Sequence, residues 1–296
     1  MPFVGEIAAL TTALLWSGTS IVFTEASIRV GSLTVNLTRI VLASIYLFLT
    51  IIFAGLSIDL SITQIINLVI SGIIGLVFGD GFLFKAFQHI GARLSMLIMS
   101  LAPPIATILA LFFLDEILSV WGILGIIITI AGVAMVVLNR EEKPTSNYSI
   151  SRIGIFYGLL GALGQGAGLI FAKLAFNEGP INGFTATFVR VFSSALIIIP
   201  FAMLGKNFKN PIKLYMKDRK ALQFTLIGSV IGPYLGITFS LIAVANTYVG
   251  IASTLMATVP ILMLPMVKYY YRENLSWISI FGAMFAVGGV AILFLK

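Results

Sequence analysis

Three charged side chains interrupt long apolar stretches of this sequence. Arg39 lies within TRIVLAS, Arg190 within VRVFSSA, and Asp80 between two glycines in FGDG. A charge inside an apolar segment is expensive to bury and commonly marks a substrate, ion or proton pathway. An arginine there can bind substrate, anchor the fold or extend its long side chain to the edge of the apolar layer. The two arginines have similar settings in the two halves of the chain, which favours a shared role in the fold.

Asp80 belongs to a polar cluster that the second half of the chain does not repeat. The counterpart of Asp80 is Ile237, and the counterpart of Gln88 is Ala245. The demands of a scaffold recur with the fold, whereas a substrate or proton site need not. We therefore predict Asp80 as a proton or substrate group. The alternative is a carboxylate paired with Lys85 or with a backbone donor.

Further polar and aromatic residues complete the predicted substrate site. Trp16 and Gln165 occupy matching positions in the two halves, and Tyr234 and Thr238 lie one helical turn apart. A tryptophan away from the membrane interface can form a cavity wall or serve packing, and Tyr, Thr and Gln often bond the local backbone. The predicted substrate-binding residues are Trp16, Arg39, Asp80, Gln88, Gln165, Arg190, Tyr234 and Thr238.

Three prolines are the predicted hinge residues. Pro103, Pro104 and Pro260 fall near the middle of the fourth and ninth predicted helices. A proline inside a helix removes a backbone donor and kinks the helix, and the freed carbonyl needs a neighbour, water or a ligand. The bends are either fixed features of the fold or moving walls of a central cavity.

The elements that position these residues are predicted to be membrane helices. Hydrophobic residues make up 59% of the chain and charged residues 10%, against about 25% charged residues in soluble domains. A spanning helix needs about 20 apolar residues, so the 296 residues accommodate ten spans with short links. The pattern predicts helices at 4–24, 33–54, 62–84, 94–114, 118–138, 153–175, 183–205, 221–244, 250–271 and 275–295.

The predicted spans fall into two repeats. Motif positions recur at a constant spacing of 157 residues without a gap, from Gly75 and Gly232 to Gly132 and Gly289. The polar link 139–152 separates a first repeat, 1–138, from a second, 153–296. Because each repeat has an odd number of spans, the second is inverted relative to the first, and sites in such proteins form where the repeats meet. The fold class is therefore an all-α integral membrane protein of ten helices in two inverted five-helix repeats.

The distribution of Lys and Arg sets the expected orientation. These residues gather in the odd-numbered links between spans, and basic links remain cytoplasmic, so both termini are expected outside. We expect a multi-pass protein of the plasma membrane, a monomer or homodimer, with membrane lipid and a small-molecule substrate as partners. The lysines of link 206–220, which include Lys213, act as a topology anchor or as a patch for anionic lipid.

Enzymatic chemistry lacks its usual residues in this chain. There is no cysteine and a single histidine, His89, which excludes thiolate sites and histidine-pair metal sites. No phosphate-binding loop or dinucleotide fingerprint occurs in its structural context, and nothing favours nucleic-acid binding. We predict no catalytic residue, no metal and no cofactor, and energy from a proton gradient or from substrate exchange.

The ordered motifs resemble the two domains of the EamA family in the drug/metabolite transporter superfamily. The resemblance rests on Trp16-Ser17-Gly18, on the arginines of the second and seventh helices, and on two P…E-x-L…G…G patterns, Pro103 to Gly132 and Pro260 to Gly289. One departure is that Lys173 ends the first helix of the second half, where the first half has Glu25.

This resemblance implies a membrane exporter or exchanger of small organic metabolites such as amino acids or drugs. It also implies a central cavity between the halves. From the residues themselves we expect alternating access, with proton coupling as one source of energy and Asp80 as the best-placed carboxylate. The alternatives within the same superfamily are a lipid-linked substrate flippase and a nucleotide-sugar-type exchanger.

Overall fold

The computed structural model describes residues 3–113, 119–138, 151–204, 209–246, 252, 255–272 and 275–293, and within these ranges every regular element is helical. Two π-helical segments, π1 (Ile73–Gly79) and π2 (Val230–Gly236), each join two α-helices. The α-helices are α1 (Val4–Val30), α2 (Ser32–Ala54), α3 (Ile62–Gly72), α4 (Asp80–Met99), α5 (Ala102–Phe113), α6 (Val120–Leu138), α7 (Arg152–Asn177), α8 (Gly183–Leu204), α9 (Pro211–Lys217), α10 (Arg219–Ser229), α11 (Ile237–Asn246), α12 (Val259–Tyr270) and α13 (Trp277–Leu293).

Seven helical stretches of the described residues are long and apolar enough to cross a membrane. They are α1, α2, α3 to α4 through π1, α6, α7, α8, and α10 to α11 through π2, while α12 and α13 are shorter and apolar. Large apolar side chains such as Phe53, Phe201 and Trp277 are exposed on the outer faces, where lipid solvates them. The all-α membrane class is confirmed, and the count of ten spans in two inverted repeats stays a prediction.

Side-chain caps explain where several helices begin. At α3, Ser61 Oγ accepts from the Gln64 backbone N–H at 3.1 Å and Gln64 Oε1 accepts from the Ser61 backbone N–H at 3.0 Å. At α7, Ser151 Oγ accepts from the Gly154 N–H at 3.1 Å. These bonds satisfy donors that have no partner within the helix, so each apolar segment enters its helix at a defined residue.

Two helices are longer than the sequence pattern predicted. The first continues past the predicted end at residue 24 to Val30 and stops at Gly31, whose φ is 92°. The third continues past residue 84 until Gly91, whose φ is 74°. Glycine adopts these left-handed angles without steric cost. The polar residues between each predicted end and the glycine that follows it, in 25–30 and 85–90, therefore lie on helices. Each helix continues until its glycine, which alone changes the direction of the chain.

The prolines do not lie in the middle of helices, so that prediction is wrong. A turn at Ser100–Leu101 interrupts the helical bonding, and Pro103 and Pro104 fall in the first turn of α5. A turn at Ala257–Thr258 likewise precedes α12, and Pro260 falls in its first turn. A proline is tolerated there because the N–H that it lacks would have no intrahelical acceptor.

Each half inserts its first helix into the other half. α1 contacts α10, π2, α11 and α12, while α7 contacts α3, π1, α4 and α5. Glycines permit the closest of these approaches: a Cβ at Gly164 would lie 2.8 Å from Gly79 N, and a Cβ at Gly168 would lie 3.0 Å from Gly75 Cα. π1 and α7 therefore pack closely through their glycines, and this packing brings residues of both halves together.

Side chains near the helix ends join the two halves at both ends of the bundle. At one end Arg29 pairs with Asp218 at 3.3 Å, and at the other Gln64 Nε2 donates to Gly179 O at 3.4 Å. The pKa of Asp218 is lowered, chiefly because its carboxylate accepts the Ala221 N–H and also because Arg29 lies beside it. Asp218 also separates α9 from α10, so the described lysines Lys213 and Lys220 lie on different helices. The absolute orientation of the bundle stays a prediction.

Candidate functional site

A cavity of about 190 Å³ lies where the two halves meet. Its walls come from α1, α2, π1, α4 and α5 of the first half and from α7, α8, π2, α11 and α12 of the second. The volume is more than ten times the roughly 10–15 Å³ that one water molecule needs. Most lining side chains are apolar, among them Leu76, Met96, Met99 and Leu241. The space therefore suits a small organic molecule with an apolar body.

An ion pair between Arg39 and Asp80 lies in the wall of this cavity. Arg39 Nη2 donates to Asp80 Oδ2, and the two residues are only 4% and 6% exposed. The other carboxylate oxygen accepts from Gln165 Nε2. Arg39 Nε donates to Asn36 Oδ1 at 2.9 Å. Arg39 therefore does not extend to the membrane interface, and each oxygen of Asp80 has a donor.

Aromatic rings hold the guanidinium of Arg39 in place. Its Cζ lies 4.7 Å from the centre of the Phe84 ring and 5.6 Å from that of Phe23. Both distances are within the range of a cation–π attraction. Since Phe23 belongs to α1 and Phe84 to α4, the position of Arg39 depends on three helices.

The π1 segment positions Asp80 and receives side chains from both halves. π-helical turns are rare, and those within α-helices often lie at functional sites. The Gly75 carbonyl accepts from Gln165 Nε2 at 3.2 Å, and the Leu76 carbonyl accepts from Asn36 Nδ2 at 3.3 Å. Asp80 follows π1 as the first residue of α4. The amides of α2 and α7 thus bind both π1 and the ion pair beside it.

Arg190 reaches the cavity from α8 with a different environment. It is 7% exposed, and its Nε has no hydrogen-bond partner among the described residues. A Cβ built at Gly75 would lie 3.5 Å from Arg190 Nη2 and 3.7 Å from Gln165 Oε1, so the guanidinium lies against π1 beside the Gln165 amide. Ile237 occupies the position that corresponds to Asp80 and also lines the cavity. Arg190 therefore has no counterpart of the carboxylate that pairs with Arg39.

Five of the eight predicted substrate-binding residues line the cavity: Trp16, Arg39, Asp80, Gln165 and Arg190. Trp16 packs on π2, since a Cβ at Gly236 would lie 2.7 Å from Trp16 Nε1. Two of the predicted hinge prolines, Pro103 and Pro260, also lie in the wall, and Pro104 does not.

The other three predicted binding residues lie outside the cavity lining. Gln88 Nε2 donates to the Ser27 carbonyl near the end of α1. The Tyr234 hydroxyl is 2.9 Å from Thr50 Oγ1, and Thr238 Oγ1 donates to the Tyr234 carbonyl at 2.6 Å. These three side chains join helices or bond the local backbone.

Lys85 is not the partner of Asp80, so that alternative is wrong. The Lys85 Nζ lies 5.1 Å from the centre of the Phe82 ring and 5.3 Å from that of Tyr157. The separation in sequence explains the outcome, because residues five apart on a helix do not share a face as residues three or four apart do.

Asn36 and the π segments are site features that the sequence analysis missed. Asn36 precedes Arg39 by three residues, a spacing that places both on one helix face, and this was an available signal. The π segments have a weaker one, the glycine pairs Gly75 and Gly79 in π1 and Gly232 and Gly236 in π2. π1 and π2 begin and end at the same 157-residue spacing as the motifs, so they belong to the repeated architecture.

A bundle of long apolar helices, with buried charges around a cavity shared by both halves, defines a multi-pass membrane transporter. The model of the EamA-like transporter family matches residues 3–138 and again residues 152–295. The chain belongs to this family, which confirms the resemblance seen in its motifs.

The chain is also similar to one relative in sequence and to one solved structure in fold. The chain is 31% identical over 130 residues to the uncharacterized transporter YxxF of Bacillus subtilis (strain 168), a match that covers 44% of this chain and 40% of that relative. One crystal structure shares the fold with a TM-score of 0.68 and 17% identity, over 98% of this chain and 96% of that one. Glu116 and Glu273, the glutamates of the repeated motif, lie outside the described residues.

Proposed function

We propose that this protein is a secondary transporter that exports or exchanges small organic metabolites, such as amino acids or drugs, by alternating access. The observation that carries the proposal is the shared cavity, to which the first half supplies Arg39 and Asp80 and the second half supplies Arg190. Ligand sites are mostly apolar with a few convergent polar groups, and this cavity has that composition. Because both halves form its walls, a movement of one half against the other changes the side from which it opens.

Ten spans in two inverted repeats are the architecture that we propose for this mechanism, with repeats at 1–138 and 153–296. The π segments and the turns before α5 and α12 support it, since each pair occupies corresponding positions in the two halves. The reciprocal packing of α1 and α7 supports it as well. The carrier operates in the plasma membrane, with lipid around its outer faces.

The turns at Ser100–Leu101 and Ala257–Thr258 are the proposed hinges. Each interrupts the helical hydrogen bonds beside the cavity, and each is followed by a proline, Pro103 or Pro260, that lines it. A local break in bonding allows a change of angle that an intact helix resists. The two access states then differ by the bend at one turn or the other.

Proton coupling proceeds through the Asp80 carboxylate. A proton on Asp80 removes the negative charge that holds Arg39, so proton binding and the arrangement of the cavity are linked. Gln165 Nε2 donates both to this carboxylate and to the Gly75 carbonyl of π1, and the change therefore reaches the second half through α7.

The test is transport by the purified full chain in lipid vesicles. A thermal-shift screen over amino acids, nucleosides, sugars and drugs first selects ligands, since a ligand that binds the folded state raises its apparent stability. Each hit is then assayed for counterflow of labelled compound and for uptake driven by a pH gradient. Lys213→Gln, an exposed substitution in α9, serves as the matched control. The proposal fails if stabilising ligands show no counterflow in vesicles of either orientation.

A further inference from the structure

Arg190 presents a cationic group to the cavity without the partners that Arg39 has. We propose that the cavity binds a singly charged carboxylate with an apolar body, and that Arg190 binds its carboxylate group. This inference rests on the proposed function, because it names the substrate class of the same cavity.

The hydrogen bonds distinguish the two arginines. Arg39 donates to Asp80 and Asn36 and lies between two aromatic rings. Arg190 is about as deeply buried, yet its Nε donates to no described residue. A buried donor without an acceptor destabilises the protein, and a buried charge without a partner does so more strongly. A ligand with acceptor oxygens supplies what the fold omits.

The missing partner of Arg190 is a difference between the two repeats. The first half places Asp80 after π1, and the second half places Ile237 at the corresponding position after π2. Arg190 therefore has a setting similar to that of Arg39 in the other half, but the second half supplies it with no carboxylate at the position of Asp80. An arginine that served only to anchor the fold would be expected to have its guanidinium bonded, as Arg39 has.

The charges of the described lining residues select a single negative charge. They comprise two arginines and one carboxylate, Asp80, which already accepts from Arg39 and Gln165. One positive charge remains, and a carboxylate group neutralises it. A second negative charge would have no described cation left to meet it, and an ammonium group would meet no free carboxylate. The cavity therefore favours a carboxylate without an amino group over an amine or an amino acid.

Guanidinium chemistry and the apolar walls define the rest of the ligand. A guanidinium can donate two parallel hydrogen bonds to a carboxylate, which adds orientation to attraction. Beyond Arg190 the lining includes Leu169, Leu241 and Val244 from the second half and Met96 and Met99 from the first. An aromatic or branched aliphatic group attached to the carboxylate fits these walls.

A series of ligands of one shape tests the proposal on the purified full chain in neutral detergent. The probes are 3-phenylpropanoate, its amide 3-phenylpropanamide, the amine 3-phenylpropylamine, phenyl phosphate and phosphatidylglycerol, measured by calorimetry and thermal shift. We expect the carboxylate to bind at least about tenfold more tightly than the amide, since a hydrogen bond to a charged group contributes that much or more. The amine is expected not to bind.

Variants assign the preference to Arg190. In Arg190→Gln the carboxylate should bind no more tightly than the amide, while the affinity of the amide stays the same. Arg190→Lys should keep part of the preference, because it keeps the charge but not the paired donors. Lys213→Gln, which removes a positive charge outside the cavity, should keep the parent's preference for the carboxylate over the amide. If Arg190→Gln does not fold, the proposal is tested by the affinities of the carboxylate and the amide for the parent and for Arg190→Lys.

Several results would overturn the proposal. One is that the parent binds the acid no more tightly than the amide. Another is an acid preference that survives in Arg190→Gln. Stronger binding of phenyl phosphate would overturn the single charge, and stabilisation by phosphatidylglycerol alone would identify a lipid headgroup as the ligand. Acid-selective binding without counterflow in vesicles refutes transport and not the anion site. Counterflow of the amine or amide without acid binding refutes the anion site and not transport.

Discussion

The Arg39–Asp80 ion pair gives a quantitative test of how charge is held inside this bundle. The two residues are 4% and 6% exposed, so either charge is buried when the other is removed. Breaking a buried pair by removing one partner costs about 3–5 kcal/mol. Asp80→Asn keeps the size of the side chain and an acceptor for one of its two donors, but it leaves Arg39 and Arg190 without a carboxylate in the described lining. We expect a loss of stability near the lower end of that range.

The double variant Asp80→Asn/Arg39→Gln separates the pair from its surroundings. It removes both charges, so its loss of stability should be smaller than the sum of the single losses, with a coupling of about 2–3 kcal/mol. The free energy of unfolding would be measured by tryptophan fluorescence in mixed detergent micelles. The pair of Arg29 and Asp218 provides the control cycle. Their charged groups lie 3.3 Å apart, and their side chains are 36% and 30% exposed. A pair exposed to that degree contributes about 1 kcal/mol at most.

Transport by the same variants tests the role of the carboxylate. If Asp80 carries the coupling proton, folded Asp80→Asn should still exchange substrate across a vesicle membrane and should no longer respond to a pH gradient. Additivity of the buried cycle within about 0.5 kcal/mol would refute the ion pair. Normal pH-driven uptake by Asp80→Asn would remove the carboxylate from coupling even if the pair exists.

Four further predictions follow from the bundle outside this pair. A cysteine at position 213, in place of Lys213, should react with an impermeant reagent only from the cytoplasmic side, because basic links remain there; labelling from outside intact cells would reverse the orientation. Pro260→Ala supplies a backbone donor that can bond to a carbonyl before the turn at Ala257–Thr258 and so stiffen the turn, and it should slow turnover more than it weakens binding. Spin labels across the cavity should then show one dominant distance where the parent shows two. Unchanged turnover and distances would make the turn a fixed bend. Gly164→Ala should destabilise the protein by about 1–3 kcal/mol, since its Cβ would lie 2.8 Å from Gly79 N. Gly18→Ala is the control and should not destabilise it, because no atom lies within 4 Å of that Cβ. Equal unfolding midpoints for the two variants would refute the close approach of α7 to π1. The pKa of Asp218 is lowered on folding, so its contribution to stability is present at neutral pH and is lost below about pH 4. The unfolding midpoints of the parent and of Asp218→Ala should therefore converge below that pH. A difference that stays constant with pH would contradict a stabilising role for the ionised carboxylate.

Composition was sufficient to predict membrane helices, because a long apolar segment is a property of local sequence. The prolines were misplaced because the apolar residues on both sides of Ser100–Leu101 were interpreted as one continuous helix, although proline is favoured in the first turn of a new helix. Tyr234 and Thr238 were assigned to the cavity for their hydroxyls, yet the direction of a side chain on a helix depends on its neighbours. The partner of Arg39 was missed for the same reason, since Asp80 comes from another helix through a π segment.

The difference between the two repeats connects the proposed substrate with the proposed coupling. With no ligand, the described lining has one net positive charge, from Arg39 and Arg190 against Asp80. A proton on Asp80 without an anion raises the charge to two unpaired cations, which a closed apolar cavity disfavours strongly. An anion alone neutralises the cavity, and an anion with a proton restores the charge of the empty state. On these proposals, closure is most favourable with the carboxylate bound, and Asp80 accepts a proton more readily with the carboxylate bound than in the empty cavity. A carrier with this arrangement exchanges one carboxylate for another readily and returns empty slowly, which counterflow compared with net uptake measures directly.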